Sequence, residues 1–103
     1  MFCVVLSSAG NAREALRIGR ALVEEGLAGC ATVIPGGVSM YRWRGRVERS
    51  REAVLLIKTR RSKLKRLMAR LKEMHSYEVP EILVLDVSGG SEEYLDWLKK
   101  VTE

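Results

Sequence analysis

The apolar residues of this chain come in two alternating textures, and no other feature limits its fold as strongly. Short unbroken runs lie within Phe2 to Ser7, Ala28 to Ile34, Ala53 to Ile57 and Ile82 to Val87. Each has strand length and is too short for a buried helix. Between and after them, apolar residues recur every three or four positions, the spacing that places them along one side of a helix. A chain that switches period in this way must build a sheet and lay its helices on it.

The boundaries can be read from local chemistry. Ser7, Ser8, Ala9 and Gly10 close the first strand. Asn11 then supplies an N-cap with Glu14 three residues on, and Ala12, Ala15, Leu16, Gly19, Leu22 and Val23 form the expected inward side before Gly26 ends the helix. The second strand breaks at Pro35-Gly36-Gly37, which predicts a bulge or bend, and resumes over Val38 to Trp43. Gly45 marks a turn, and Val47 with Ala53 to Ile57 makes the returning strand of a long hairpin that should project beyond the domain body. Thr59 or Ser62 is expected to cap the next helix, in which Leu64, Leu67, Met68, Leu71 and either Met74 or His75 share a side. After Pro80 comes the fourth strand. Ser91 then caps a third helix, with Tyr94, Leu95, Trp97 and Leu98 expected inward.

This order is β-α-β-β-α-β with a terminal helix. Right-handed crossovers put both main helices on one face of an antiparallel sheet, the ferredoxin-like α+β sandwich. With 103 residues there is material for one domain, 1–103, and one core. A chain this short gains from partner subunits.

Composition adds less. Two cysteines, Cys3 and Cys30, are too few for a disulfide framework, and no basic, apolar leader precedes the first strand, so the expected location is cytoplasmic and no membrane span is expected. Glutamine is absent, asparagine occurs once, and twelve arginines stand among 30% charged residues, a pattern expected of a thermophile. The net charge of +5 bears on association with anions and not on fold.

Five blocks, in order, carry a resemblance: ALVEEGLAGCATVIPG (21–36), SMYRWRG (39–45), VLLIKT (54–59), MHSYEVPEIL (74–83) and YLDWL (94–98). Together they resemble the CutA divalent-cation tolerance family over essentially the whole chain. The resemblance implies a homotrimer built by inter-subunit sheet contacts, a PII-like overall form, and a link to tolerance of divalent cations, copper above all. It implies no catalysis and no obligatory cofactor. Ser76 stands where the family often has proline, Arg42 where it often has an aromatic residue, and Arg44 where an acidic residue is common. The two arginines argue against an acidic metal contact at the hairpin turn.

Cys30 is one metal candidate, because thiolate is a soft ligand suited to copper; the alternative is a small buried apolar residue. His75 is the only histidine, so no paired His or Cys motif exists and a coordination set would have to borrow Glu78 or Glu81 from another chain. Its alternative role is to interact with the helix dipole. The resemblance also carries a second candidate, a ligand cleft of Lys58, Tyr77 and Glu78; alternatively Lys58 and Glu78 are an ion pair between subunits.

Tyr41 and Trp43, on the projecting hairpin, are expected at the trimer interface rather than as a cofactor platform. Arg42, Arg44 and Arg46 should share a strand face, but Glu48 and Glu52 interleave with Arg49 and Arg51 and few aromatics are at hand for stacking, so nucleic acid is disfavoured. Acylphosphatase chemistry, which this fold also carries, lacks its phosphate cradle here, and one histidine with no activated nucleophile makes no triad. The rival reading is a PII-like trimeric sensor of a small anionic ligand, with Lys58 supplying charge.

Overall fold

The computed structural model describes residues 1–103. Its elements are β1 (Phe2–Ala9), α1 (Ala12–Glu24), β2 (Cys30–Trp43), β3 (Arg46–Arg60), a 3-10 turn (Arg61–Lys63), α2 (Leu64–Met74), β4 (Ile82–Asp86) and α3 (Glu92–Val101). The strands form one antiparallel sheet in the order β2-β3-β1-β4, the ferredoxin-like arrangement. No helix is long and apolar enough to cross a membrane.

Strand alternation sorts every sheet residue onto one of two faces. Cys3, Val5, Ser7, Ala53, Leu55, Ile57 and Thr59 point at the helices and are buried with Ile18, Leu22, Leu67 and Leu71. The opposite face carries no layer except at its Arg60 end, where the Arg60 side chain reaches Thr102 at the end of α3. Pairing aligns Ile34 with Val54, Leu56 with Leu6 and Leu6 with Leu83, and Lys58 with Val4 and Val4 with Leu85. Ile34, Leu83 and Leu85 are exposed there, while Val4, Leu6, Val54 and Leu56 are half-buried.

β2 is an edge strand, so Pro35 costs no ladder bond. The register shifts between Ile34 and Gly37. This bulge reverses the parity of β2: beyond it the odd residues Ser39, Tyr41 and Trp43 continue the open face, opposite Ser50, Glu48 and Arg46. From residue 37 to 52 the two strands run past the end of β1 as a free ribbon. The longest dimension is accordingly 44 Å against 25 and 23 Å. The ribbon closes at Arg44-Gly45, both at positive φ (50° and 77°), the signature of a two-residue type I′ turn.

Four local expectations need correction. On α1 the inward side is Glu14, Ala15, Ile18, Gly19 and Leu22; Leu16 and Val23 lie one residue, or about 100°, past it and face outward. Neither Thr59 nor Ser62 caps α2: the Thr59 hydroxyl donates to the Leu27 carbonyl, and the 3-10 turn starts the helix with no side-chain cap. Tyr94 and Trp97 are exposed, since α3 is anchored through Leu98 and Thr102 alone. Arg42, Arg44 and Arg46 do not share a face: Arg44 occupies the turn, Arg46 lies beside Trp43, and Arg42 opposes Val47 on the other side.

Candidate functional site

Two separate polar clusters emerge, one near the C-terminal end of β3 and one beside its middle. The first lies on the open face. Cys30 pairs with Lys58 across β2 and β3, and Thr32 follows two residues on. The Lys58 ammonium lies 3.1 Å from Thr32 Oγ1 and 3.6 Å from Cys30 Sγ. It meets no carboxylate. Cys30 is half-buried, so it is neither the inert core residue of one reading nor fully open.

The second cluster surrounds the turn after α2. His75 is the residue that ends α2, with extended backbone, and its ring is sealed from solvent. Nε2 is 2.6 Å from the Ser8 carbonyl oxygen, which only an N–H can satisfy, and Nδ1 accepts the Tyr77 N–H at 3.0 Å. Both nitrogens are thus engaged in the neutral Nε2–H tautomer. The dipole role expected of His75 falls instead to Arg17, whose guanidinium donates to the Met74 carbonyl.

Glu14 crosses from α1 to accept both the Ser76 N–H (2.8 Å) and the Ser76 hydroxyl (3.0 Å). Burial raises its pKa, but the hydrogen bonds from the Ser76 N–H, the Ser76 hydroxyl and the Gly10 N–H together outweigh burial and hold it below the ordinary carboxylate value. Ser76, where the family often has proline, is therefore a working donor. The Tyr77 hydroxyl donates to Glu52 Oε2 at 2.9 Å. Burial, then this bond and the charges of Glu52 and Glu14, push its pKa up to about 12. Tyr77 thereby ties the turn to the root of the ribbon, where Glu52 opposes Gly37.

Glu78 stands apart, exposed on a cleft of about 470 Å³ with Met68, Lys72, Val79, Pro80 and Ile82.

Within one chain, the residues singled out above do not converge. The Ser8 contact of His75 is at the Val54 level of β3 and Cys30 is at the Lys58 level, four residues or roughly 13 Å along the strand. Tyr77 meets Glu52, six residues or roughly 20 Å from Lys58, and Lys58 and Glu78 form no ion pair. No group of three or more His, Cys, Asp or Glu side chains that could hold a metal ion exists in the chain. One subunit therefore does not supply a coordination set.

Sequence reasoning missed Glu14 and Glu52. Glu14 reads as part of a helix start and Glu52 as ribbon surface; each gains its role from a partner more than twenty residues away, and no local signal could have revealed it.

The fold and these clusters define a class: a ferredoxin-like domain with a projecting ribbon, a largely uncovered sheet face, and no group of three His, Cys, Asp or Glu side chains within a single chain that could hold a metal ion. The model of the CutA1 divalent ion tolerance protein family matches residues 3–101, and the chain belongs to that family. The divalent-cation tolerance protein CutA of Thermus thermophilus is 44% identical over 99 residues, which are 96% of either chain. The chloroplastic protein CutA of Arabidopsis thaliana is 39% identical over 96% of this chain, which spans only 54% of that longer protein. The crystal structure of CutA from Xylella fastidiosa superposes with a TM-score of 0.97 at 38% identity, covering 99% of this chain and 98% of that one.

Proposed function

We propose that the protein is a non-enzymatic, homotrimeric divalent-cation response protein whose working site is completed only between subunits, with copper as its preferred ion. The observation that carries this reading is the bare sheet face, with Leu6, Leu56, Leu83, Leu85 and Ile34 at its centre. A compact monomer of 11.6 kDa exposes about 5,800 Å². This chain exposes 6958 Å². The excess is of the size that a subunit hides on assembly.

Tyr41 and Trp43 extend the same face, which supports their role as subunit contacts. Cys30, at the edge of that face, is the soft donor we assign to copper, with Glu78 or His75 of a neighbour completing the site. For His75 this requires one ring nitrogen to release its present partner. Free thiols at both Cys3 and Cys30 fit a reducing, cytoplasmic setting.

One observation favours a second reading: Lys58 presents an ammonium on this face with no carboxylate partner, which suits a small anionic ligand. Calorimetry on metal-stripped protein with copper(II), zinc(II) and a nucleotide separates the two. Copper binding that is lost in Cys30→Ser and kept in Lys58→Met supports the cation site. A nucleotide response lost in Lys58→Met, without copper binding, overturns it. Sedimentation as a single chain at micromolar concentration removes both readings.

A further inference from the structure

The positive charge of the chain is concentrated in its helix layer. Residues 12–25 and 61–74, which cover α1 and α2, hold nine basic and four acidic side chains, and this excess of five equals the net charge of the whole chain. Everywhere else, the ribbon included, nine bases balance nine acids. The positive field of the molecule therefore arises on the side opposite the open sheet face.

Ion pairing sharpens the asymmetry. All four acids of the layer are engaged: Glu14 accepts from Ser76, Glu24 pairs with Arg20, and Arg70 holds both Glu25 and Glu73. Arg13, Arg17, Lys63, Lys65, Arg66 and Lys72 form no ion pair, and all but the half-buried Lys63 are exposed. Arg66 borders an open recess with Glu25 and Glu73, but Arg70 already occupies both carboxylates. Lys72 shares its cleft with Glu78 without pairing.

Helical period places these cations together. With Ile18 and Leu22 of α1 and Leu67 and Leu71 of α2 turned to the core, Arg13 and Arg17 stand on the outer side of α1, and Lys65 and Lys72 on that of α2. The contacts of Arg17 with the Met74 carbonyl and of Arg70 with Glu25 set the two helices side by side and antiparallel. From Arg13 to Lys65 the cations extend over roughly 25 Å along the helix axes. Over that length the two strands of a B-form duplex present roughly fifteen phosphates.

We infer that the outward side of the α1–α2 layer binds the phosphate backbone of a nucleic-acid duplex without reading its sequence. The surface offers charge and little else. Neither helix contains an aromatic residue, and Leu16 and Val23, on the flank of α1 away from α2, are their only exposed large apolar side chains. Single strands need stacking platforms and a lipid surface needs a continuous apolar side, so this layer suits neither. A duplex needs neither, because phosphate contacts alone carry non-specific binding. The interleaved acids that weaken the ribbon as a polyanion site have no free counterpart here. The surface is complete in one chain, so it depends neither on the cation site nor on association.

The test is the fluorescence anisotropy of a labelled DNA duplex of about 20 base pairs, titrated with the full chain at salt concentrations from about 50 to 200 mM. The logarithm of the affinity should fall linearly with the logarithm of salt, with a slope near −5 if all six cations meet phosphates, at about −0.9 for each. Lys65→Gln/Lys72→Gln should make the slope shallower by about 2. Neither lysine is ion-paired, so the fold keeps its contacts. Lys99→Gln/Lys100→Gln removes the same charge from the exposed end of α3 and should leave the slope at the parent value. No anisotropy change at the lowest salt, or an equal loss in the two double variants, overturns the inference. Tighter binding to the single strand of the same sequence, or to phosphatidylserine vesicles, overturns it as well.

Discussion

Gly36 and Gly37 sit together at the bulge that aims the ribbon, yet the structure makes different demands of them. Gly36 has φ +79° and open space around it, whereas a Cβ on Gly37 would stand 2.8 Å from the Glu52 carbonyl oxygen in mid-strand. At position 36 the requirement is conformational, and asparagine, which tolerates the left-handed region, can meet it. At position 37 it is steric, and the obstacle is backbone that cannot rotate away. Displacing it is an overpacking cost of about 1–3 kcal/mol. Removing a glycine stiffens the unfolded chain and returns about 0.4–1 kcal/mol. Gly37→Ala should therefore destabilise by about 1–2 kcal/mol net of these two effects. Gly36→Asn should stay within about 0.5 kcal/mol of the parent, as a tolerated surface substitution does. Urea unfolding at one fixed protein concentration measures both, since oligomers shift with concentration. Because Gly37 opposes Glu52, the partner of Tyr77, its substitution should also re-aim the ribbon and weaken association in sedimentation. A Gly37→Ala protein as stable and as associated as the parent, or a Gly36→Asn protein that loses more, would refute the distinction.

Other perturbations test the remaining links. Leu56→Glu puts a charge at the centre of the open face while Leu55 and Ile57 keep the core, so light scattering should report smaller particles with unchanged far-ultraviolet dichroism. Tyr77 has a folded pKa raised to about 12, so its hydrogen-bonded state stabilises the fold below the ordinary tyrosine value near 10 and is lost as pH rises through about 12. The difference in absorbance at 295 nm between parent and Tyr77→Phe should accordingly titrate near the upper figure. Glu14 is shifted the other way: its contribution is present at neutral pH and is lost as acid carries the pH down through its lowered pKa, and Glu14→Gln should flatten that limb of the stability curve. Arg70 holds Glu25 through three contacts of 2.9–3.1 Å and Glu73 through one of 2.6 Å, all on the surface. Arg70→Ala should lower the melting temperature slightly in dilute buffer and less in high salt, as exposed pairs do.

Element order, strand faces of the body and the projecting hairpin were legible because period two and period 3.6 leave separate marks. Legibility failed wherever an outcome depended on what lies across a gap. Leu16 and Ile18 are equally apolar, and only the position of the sheet decides which of them turns inward. Thr59 has the chemistry of a cap, but the Leu27 carbonyl claimed its hydroxyl. Arg42 and Arg46 lose their common face because the chain crosses the turn between them. The parity reversal at the bulge, which sets Tyr41 and Trp43 on the open face, could be anticipated as a bend at Pro35 but not counted in residues. The candidate site was the least legible part, since proximity of Cys30 to Lys58 needs the β2–β3 register and the Glu14 and Tyr77 contacts need the whole fold.

The sorting of residues supports the proposed association. Only 22 of 103 residues are buried, and all of the sheet residues among them except Ser8 point to the helix side, so a single subunit holds half of a sandwich. The second half cannot come from the same chain: α1 and α2 already cover one face, and α3 is pinned beside Gly29, where a Cβ would lie 2.4 Å from Leu98 Cδ1. A polar rewrite of the open face would have solved the exposure problem with a handful of substitutions. Instead Val4, Leu6, Ile34, Val54, Leu56, Leu83 and Leu85 keep it apolar, Lys58 and Cys30 sit at its margin, and Tyr77 braces the ribbon that extends it through Glu52. Under the proposed association, groups at that margin acquire partners of other chemistry from a neighbour. Any ligand bound there should consequently report on, and be linked to, the assembly state of the protein.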